Sequence, residues 1–294
     1  VRSVGAASLR SARASQAEID ALIESSRNIS ANLDGLSQHA SLSPITRQFL
    51  ASLRVCGACD SFRRLGEPND GGYLTCMDGW TPGSVKAALS MGVEQHDKWS
   101  QDMSSLLGSG AAGTTVHQFD CTVPMGQACP GCQFHKICIA PEGAAAGPNY
   151  WSLSQVLQNT GLAQAPDRSL IMKMDIENAE WPILATETPW VLNKFKQAIL
   201  EFHGLNDEPR HTLYAQAAQT MLNNGFRVVH IHGNNFADMY YPPGTLYKVP
   251  KVLEVTFVAG ARPIQCQADQ SLHYLDANNH IVGQPLPMAH LPGA

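Results

Sequence analysis

The segment Ser169–Trp181, SLIMKMDIENAEW, constrains the fold more than any other stretch of the chain. It begins with an apolar run, Leu170-Ile171-Met172, of the kind that fills a strand covered on both faces. It then turns acidic at Asp175, Glu177 and Glu180 and meets Trp181-Pro182. Proline is tolerated at a helix start, where its missing N–H has no partner to lose, and carboxylates in a first turn are favoured by the helix dipole. The segment therefore predicts a buried parallel strand running into a helix. Its acids fall at the strand's carboxyl end, the edge where open α/β sheets bind ligands. Glu180 reads as a helix cap; Asp175, still on the strand, reads as functional.

The flanking sequence repeats this alternation. Asn69-Asp70-Gly71-Gly72 is a turn signal followed by a short strand at Tyr73–Thr75. Strands are predicted at Val85–Met91, Thr115–Phe119, His135–Ile139 and Lys196–Leu200, with helices over Lys98–Leu107, from Ser152, and over Thr212–Leu222. Phe226–Ile231 and Val252–Val258 have no helix between them and predict an antiparallel hairpin at one edge. The whole predicts an α/β fold with a mostly parallel sheet. Ahead of it, Ile19, Leu22, Ile23, Ile29 and Leu33 have helical spacing in a Ser/Ala-rich region. Residues 1–62 are accordingly expected to be helices packed loosely on the body, or a stalk leading to it.

A chain of 294 residues holds one large α/β domain or two small ones. The net charge of −5 supplies no basic field for nucleic acid or an anionic membrane. No apolar run approaches the ~20 residues of a membrane span. Because the chain begins at Val1 and not at Met, an upstream segment is expected. Eight cysteines include two Cys-x-x-Cys pairs, Cys56/Cys59 and Cys129/Cys132, which suit either one zinc site or disulfides. The sequon Asn28-Ile29-Ser30 leans toward the secretory pathway, and with it toward disulfides. A bridge to Cys76 from Cys59 or Cys56 is expected, and the apolar-poor segment from Cys121 to Cys138 needs bridges of its own.

The predicted strands leave polar groups at their carboxyl ends: Gly92 and Glu94, Asp120, Asp175 and Glu177, Glu201 and His203, and His232 with Asn234 and Asn235. In a parallel sheet these converge on one cleft. Gly92 permits close backbone approach to a ligand, and Asp120 stands where nucleotide-binding sheets place an acid for ribose hydroxyls. The glycine pattern is not GxGxxG, so a dinucleotide, and with it a nicotinamide oxidoreductase, is disfavoured. Asp175, Glu201, His203 and His232 offer oxygen and imidazole donors suited to Mg, Mn or a first-row transition metal. The plainer reading is that they only hydrogen-bond one another above the sheet.

RLGEPNDGGYLTC, ALSMGVEQHDKW, VHQFD, MKMDIENAEW, ILEFHG and GFRVVHIHGNNF occur in that order. Together they resemble the FkbM-related methyltransferases, in particular the group that includes methyltransferase-like protein 24, from about Arg63 to Val258. The resemblance implies a class I, Rossmann-like S-adenosylmethionine-dependent methyltransferase domain over 63–294, with a seven-stranded sheet. It implies O-methylation of a hydroxyl, often on a sugar or glycan. A location in the secretory pathway, in the Golgi lumen or outside the cell, follows with it, as does an N-terminal anchor. Carried over, Ser90, Gly92 and Glu94 lie along the cofactor turn, Asp120 holds the ribose, and Asp175 sits beside the transferred methyl group. Two features depart from the family: Asn178 replaces the usual glycine after Asp-x-Glu, and the first motif keeps a single glycine.

A sugar hydroxyl is a poor nucleophile at neutral pH and needs a base, a cation that lowers its pKa, or both. The expected site has Asp175, Glu201, His203 and His232 around a divalent cation, with His203 or Glu177 as base. One rival is a metal-free enzyme in which His203 alone is the base. The other is a binding or scaffold protein that keeps the fold without catalysis.

Overall fold

The computed structural model describes residues 29–108, 115–144, 147–234, 236–267 and 275–276. Two helices come first, α1 (Ile29–Gln38) and α2 (Pro44–Ser52). Strands β1 (Phe62–Gly66) and β2 (Gly72–Cys76) form an antiparallel hairpin around the Asn69–Gly72 turn. Then follow β3 (Ala87–Met91), α3 (Lys98–Leu107), β4 (Val116–Phe119) and β5 (Cys132–His135). A two-residue pair, β6 (Cys138–Ile139) and β7 (Tyr150–Trp151), leads into α4 (Leu153–Asn159). The chain continues with β8 (Leu170–Met174), α5 (Glu180–Thr186), α6 (Pro189–Leu192), β9 (Phe195–Phe202), α7 (His211–Asn223) and β10 (Phe226–Gly233). A small pair, β11 (Met239–Tyr240) and β12 (Val249–Pro250), precedes β13 (Leu253–Ala259).

Seven strands make one sheet in the order β10-β13-β9-β8-β3-β4-β5. All pairings are parallel except those of β13, which runs against both β10 and β9. This is the mostly parallel sheet with an antiparallel pair at one edge that the alternation predicted, and it is compatible with a Rossmann-like fold. From β3 the chain steps outward through β4 to β5, then returns to place β8 on the other side of β3. The gap between the carboxyl ends of β3 and β8 is thus a topological switch point.

Side chains alternate cleanly across the sheet. Leu170, Met172, Met174, Ala198, Leu200 and Phe202 enter the larger core with α1, α2, α4, α5, α6 and α7. Ile171 and Ile199 enter a second core with Tyr73 of the hairpin and Trp99 and Met103 of α3. Helix starts follow capping chemistry: Asp97 caps α3 through Ser100 N–H, and Ser152 with Gln155 forms a capping box on α4.

Two expectations are corrected. The helices before residue 62 are not loosely attached, because Ile29, Leu33, Leu36, Phe49 and Leu50 are buried in the main core. Phe49 meets Trp181 edge-on at 5.5 Å, so this part of the chain shares the core of the sheet domain. The helical spacing at Ile19, Leu22 and Ile23, and Asn28 of the sequon, lie outside the described residues. The single strand expected at His135–Ile139 is two strands: Ile137 N–H donates to His135 O at 2.8 Å, a three-residue turn that ends β5.

Cysteines pair as Cys56–Cys266, Cys59–Cys76, Cys121–Cys138 and Cys129–Cys132, leaving none free. Four disulfides fit a chain matured in an oxidising, secretory-type compartment. Among the described residues no helix is long and apolar enough to cross a membrane.

Candidate active site

At the switch point Gly92 takes φ +75° and packs against the backbone of Asp175. The loop that follows is braced by Asp120: Oδ2 accepts the N–H groups of Val93 (3.1 Å) and Glu94 (3.0 Å). Its Oδ1 accepts Thr122 N–H (2.7 Å) and the Thr122 hydroxyl (2.6 Å). Burial opposes ionisation of Asp120, but the bonds from Thr122, Glu94 and Val93 hold its pKa below the usual value. A carboxylate has about four acceptor positions, and here all four are used. The Ser90 hydroxyl is also committed, donating to Asp97 at 2.8 Å inside the fold. Glu94 is exposed at the rim, with φ +47°.

Next to this loop lies a buried polar group under the hairpin. Lys173, alternating with apolar neighbours on β8, turns toward Tyr73 and donates to Gly92 O at 2.7 Å. Its ammonium pairs with Asp175 Oδ2 at 3.4 Å. The Tyr73 hydroxyl stands 3.1 Å from both Asp175 Oδ2 and Glu201 Oε2. Asn234 donates to Glu201 Oε1 at 2.9 Å and to Asp70 at 3.3 Å. Burial and the Asp175 charge push Glu201 up to about 8.

His203, just past the end of β9, faces four carboxylates. Nδ1 is 3.3 Å from Glu180 Oε1; Nε2 is 3.5 Å from Glu177, 3.8 Å from Glu201 and 3.9 Å from Asp175. Burial alone lowers a histidine's pKa, yet Glu180, Glu201 and Asp175 raise this one to about 10. His203 is therefore an imidazolium at neutral pH. With Lys173 it stands among the carboxylates of Asp175, Glu177 and Glu180, a surplus of acid over cation even with Glu201 protonated. Ligand atoms of Asp175, Glu177 and His203 lie within 4.8 Å of one another, close enough to share one ion. A second acidic group, Asp70, Glu201 and Glu254, adjoins it.

The turn that aims Glu177 is strained. Glu177 (φ +55°) and Asn178 (φ +78°) are successive left-handed residues, a conformation disfavoured for side chains other than glycine's. Asparagine tolerates it better than most, which suits Asn178 to this turn. Trp181 anchors the turn, stacking on Phe202 at 3.9 Å and donating Nε1–H to His203 O at 2.8 Å.

Of the residues singled out in the sequence, Gly92, Glu94, Asp120, Asp175, Glu177, Glu201 and His203 gather at this edge. His232 does not join the others. It lies on β10, facing Glu254 of β13, which in turn faces Glu201 of β9. Two strand spacings put its backbone about 10 Å from Glu201, and its ring is 4.0 Å from Asp276. Asn235 lies outside the described residues. Sequence reasoning missed Tyr73, Lys173 and the role of Glu180. Only Lys173 left a signal, as a charge inside an otherwise apolar strand.

No protein-family model matches the chain, and no curated protein or solved structure gives a match. What fold and site define is a mixed α/β protein with a Rossmann-like sheet and an acidic, half-enclosed cluster at its switch point.

Proposed function

We propose that this chain is an S-adenosylmethionine-dependent O-methyltransferase of the class I type, acting on a hydroxyl of a sugar or glycan in the secretory pathway. One observation carries the reading. A glycine loop braced by a strand-end acid and a surplus of carboxylates meet at the switch point of a seven-stranded sheet. S-adenosylmethionine, when bound, supplies an electrophilic methyl group on a sulfonium cation, and the carboxylates of Asp175 and Glu177 suit a cationic ligand. The ribose side fits less directly. Asp120 accepts a ribose hydroxyl only by giving up one of its present bonds, such as that from the Thr122 hydroxyl, whereas Glu94 stands exposed on the loop that Asp120 braces.

Protonated His203 cannot take a proton, so the role of base passes to Glu177. Its Oε2 faces solvent 3.5 Å from the imidazolium, which steadies the carboxylate until the acceptor's proton arrives. Tyr73 and Lys173 hold Asp175 in place beneath it. Asp175, Glu177 and His203 are also the residues that would hold a divalent ion such as Mg or Mn, at the expense of the His203 proton.

Calorimetric titration with S-adenosylmethionine and with S-adenosylhomocysteine tests the reading. It is followed by a glycan panel with methyl-labelled donor, with and without chelator. Binding of both nucleosides and label transfer to a hydroxyl are expected. Chelator-sensitive transfer assigns the ion a catalytic part, and failure of either nucleoside to bind at millimolar concentration overturns the proposal.

A further inference from the structure

We infer that Glu180 is the positioning residue of this site, holding the His203 ring and the Asp175–Glu177 loop in one fixed relation. The inference rests on the functional reading above for its catalytic meaning, but its geometry stands alone. Glu180 is the first residue of α5 and is fully buried. A carboxylate that only favours a helix dipole has no need to leave water, and burying one without full pairing is costly. Here a single oxygen, Oε1, accepts Ile176 N–H at 2.7 Å and contacts His203 Nδ1 at 3.3 Å. The first contact closes the loop bearing the strained pair Glu177 and Asn178; the second reaches across to the end of β9. Oε2 has no hydrogen-bond partner.

The consequence for His203 is directional. With Nδ1 turned toward Glu180 in an ion-pair contact that makes no hydrogen bond, Nε2 is the nitrogen presented to Asp175, Glu177 and Glu201. A carboxylate behind one nitrogen of the ring holds its orientation, and with it the direction in which the other nitrogen points. Strand end and loop belong to different crossovers, and Glu180 is a fully buried side chain that contacts the backbone of one and the His203 ring of the other. Substrate, proton and ion alike therefore meet an arrangement that Glu180 sets from outside.

The test needs no methyl donor, so its failure is separable from failure of the functional proposal. In imidazole nitrogen–proton spectra of the folded chain, the His203 signals are identified by their loss in His203→Gln. Glu180→Gln keeps the size and the acceptor for Ile176 N–H but removes the charge. It is expected to shift both His203 nitrogens while leaving His211, a buried histidine held by Thr46 and Leu205, unmoved. Glu187→Gln, at a buried carboxylate bonded to Thr188, is the control and leaves His203 as in the parent. Unshifted His203 signals in Glu180→Gln overturn the inference.

The second readout is a stability cycle with Glu180→Gln, His203→Gln and the double variant. A positioning pair predicts that the double variant loses less than the sum of the single losses. Additive losses mean that Glu180 serves only the Ile176 turn, and they overturn the inference. If Glu180→Gln does not fold alone, the double variant decides: folding restored by removing His203 supports the pairing, and folding not restored refutes it.

Discussion

Gly92 and Asp175 touch backbone to backbone across the switch point: a Cβ built on Gly92 would lie 1.6 Å from the Asp175 carbonyl oxygen. Asp175 N–H in turn donates to Met91 O at 3.0 Å. Gly92→Ala must therefore move the loop, and it adds a side chain at positive φ. Together these are expected to destabilise the fold by about 2–5 kcal/mol. Denaturant unfolding measures the loss, and a near-parental midpoint would contradict the contact.

Asp120 braces the next part of that loop. Asp120→Ala deprives Val93, Glu94 and Thr122 of their acceptor. Each buried donor left unmet costs about 1–3 kcal/mol, less where water reaches it. The expected result is a lower unfolding midpoint together with weaker S-adenosylmethionine binding in calorimetry. A loss of binding at unchanged stability would show that the carboxylate meets the ribose directly.

Tyr73 separates two carboxylates. Tyr73→Phe leaves Asp175 and Glu201 without the shared hydroxyl, a loss of about 1–3 kcal/mol. Because burial and Asp175 raise Glu201 to about 8, the acid can still donate a proton of its own below that pH. The substitution should therefore be milder at pH 6 than at pH 9. Equal losses at both pH values would argue against a protonated Glu201.

Stability itself should depend on pH with a definite sign. His203 is raised from 6.5 to about 10 in the fold, a contribution complete below about 6.5 and lost as pH rises through 10. Glu201, raised from 4.5 to about 8, also favours the protonated folded chain, so stability falls between those values as pH rises. His117 is lowered by burial to about 4, and its contribution is lost as pH falls from 6.5 through 4. The thermal midpoint is expected to peak in mildly acidic solution and fall on both sides, with His203→Gln flattening the alkaline limb.

The disulfides should differ in worth. Cys59–Cys76 closes a separation of 17 residues and Cys129–Cys132 one of 3. Loop-closure entropy makes the longer bridge worth about 1.5 kcal/mol more. Paired serine substitutions, compared by denaturant unfolding, measure this difference directly. A larger loss at Cys129 and Cys132 would mean that local turn structure outweighs chain entropy.

The sheet was legible because its signals are local. LIM and AIL are the apolar centres of strand-length segments, and Asp97, Ser152 and Gly108 mark helix ends. The convergence of Asp120, Asp175 and His203 followed from parallel topology. Contacts with no local trace were not legible: Tyr73 reaches Asp175 and Glu201 over separations of 102 and 128 residues. Glu180 looked like a cap because its sequence position suits one, and only burial exposes its other partner. His232 was misplaced because β13 inserts between β10 and β9, a step that sequence order does not reveal.

The bridge from Cys56 to Cys266 spans 210 positions and encircles every strand of the sheet. In terms of manufacture it is a seal that needs both ends of the domain to be made, because its second cysteine follows the last strand. The two sulfurs lie where Val55 and Cys56 accept the N–H groups of Gln267 and Ile264, which join the segment after the last strand to the segment before the first. A chain leaving the ribosome has by then already exposed everything between them. A pulse-labelled chain caught with Cys56 open is therefore one in which the two ends of the domain have not been locked together.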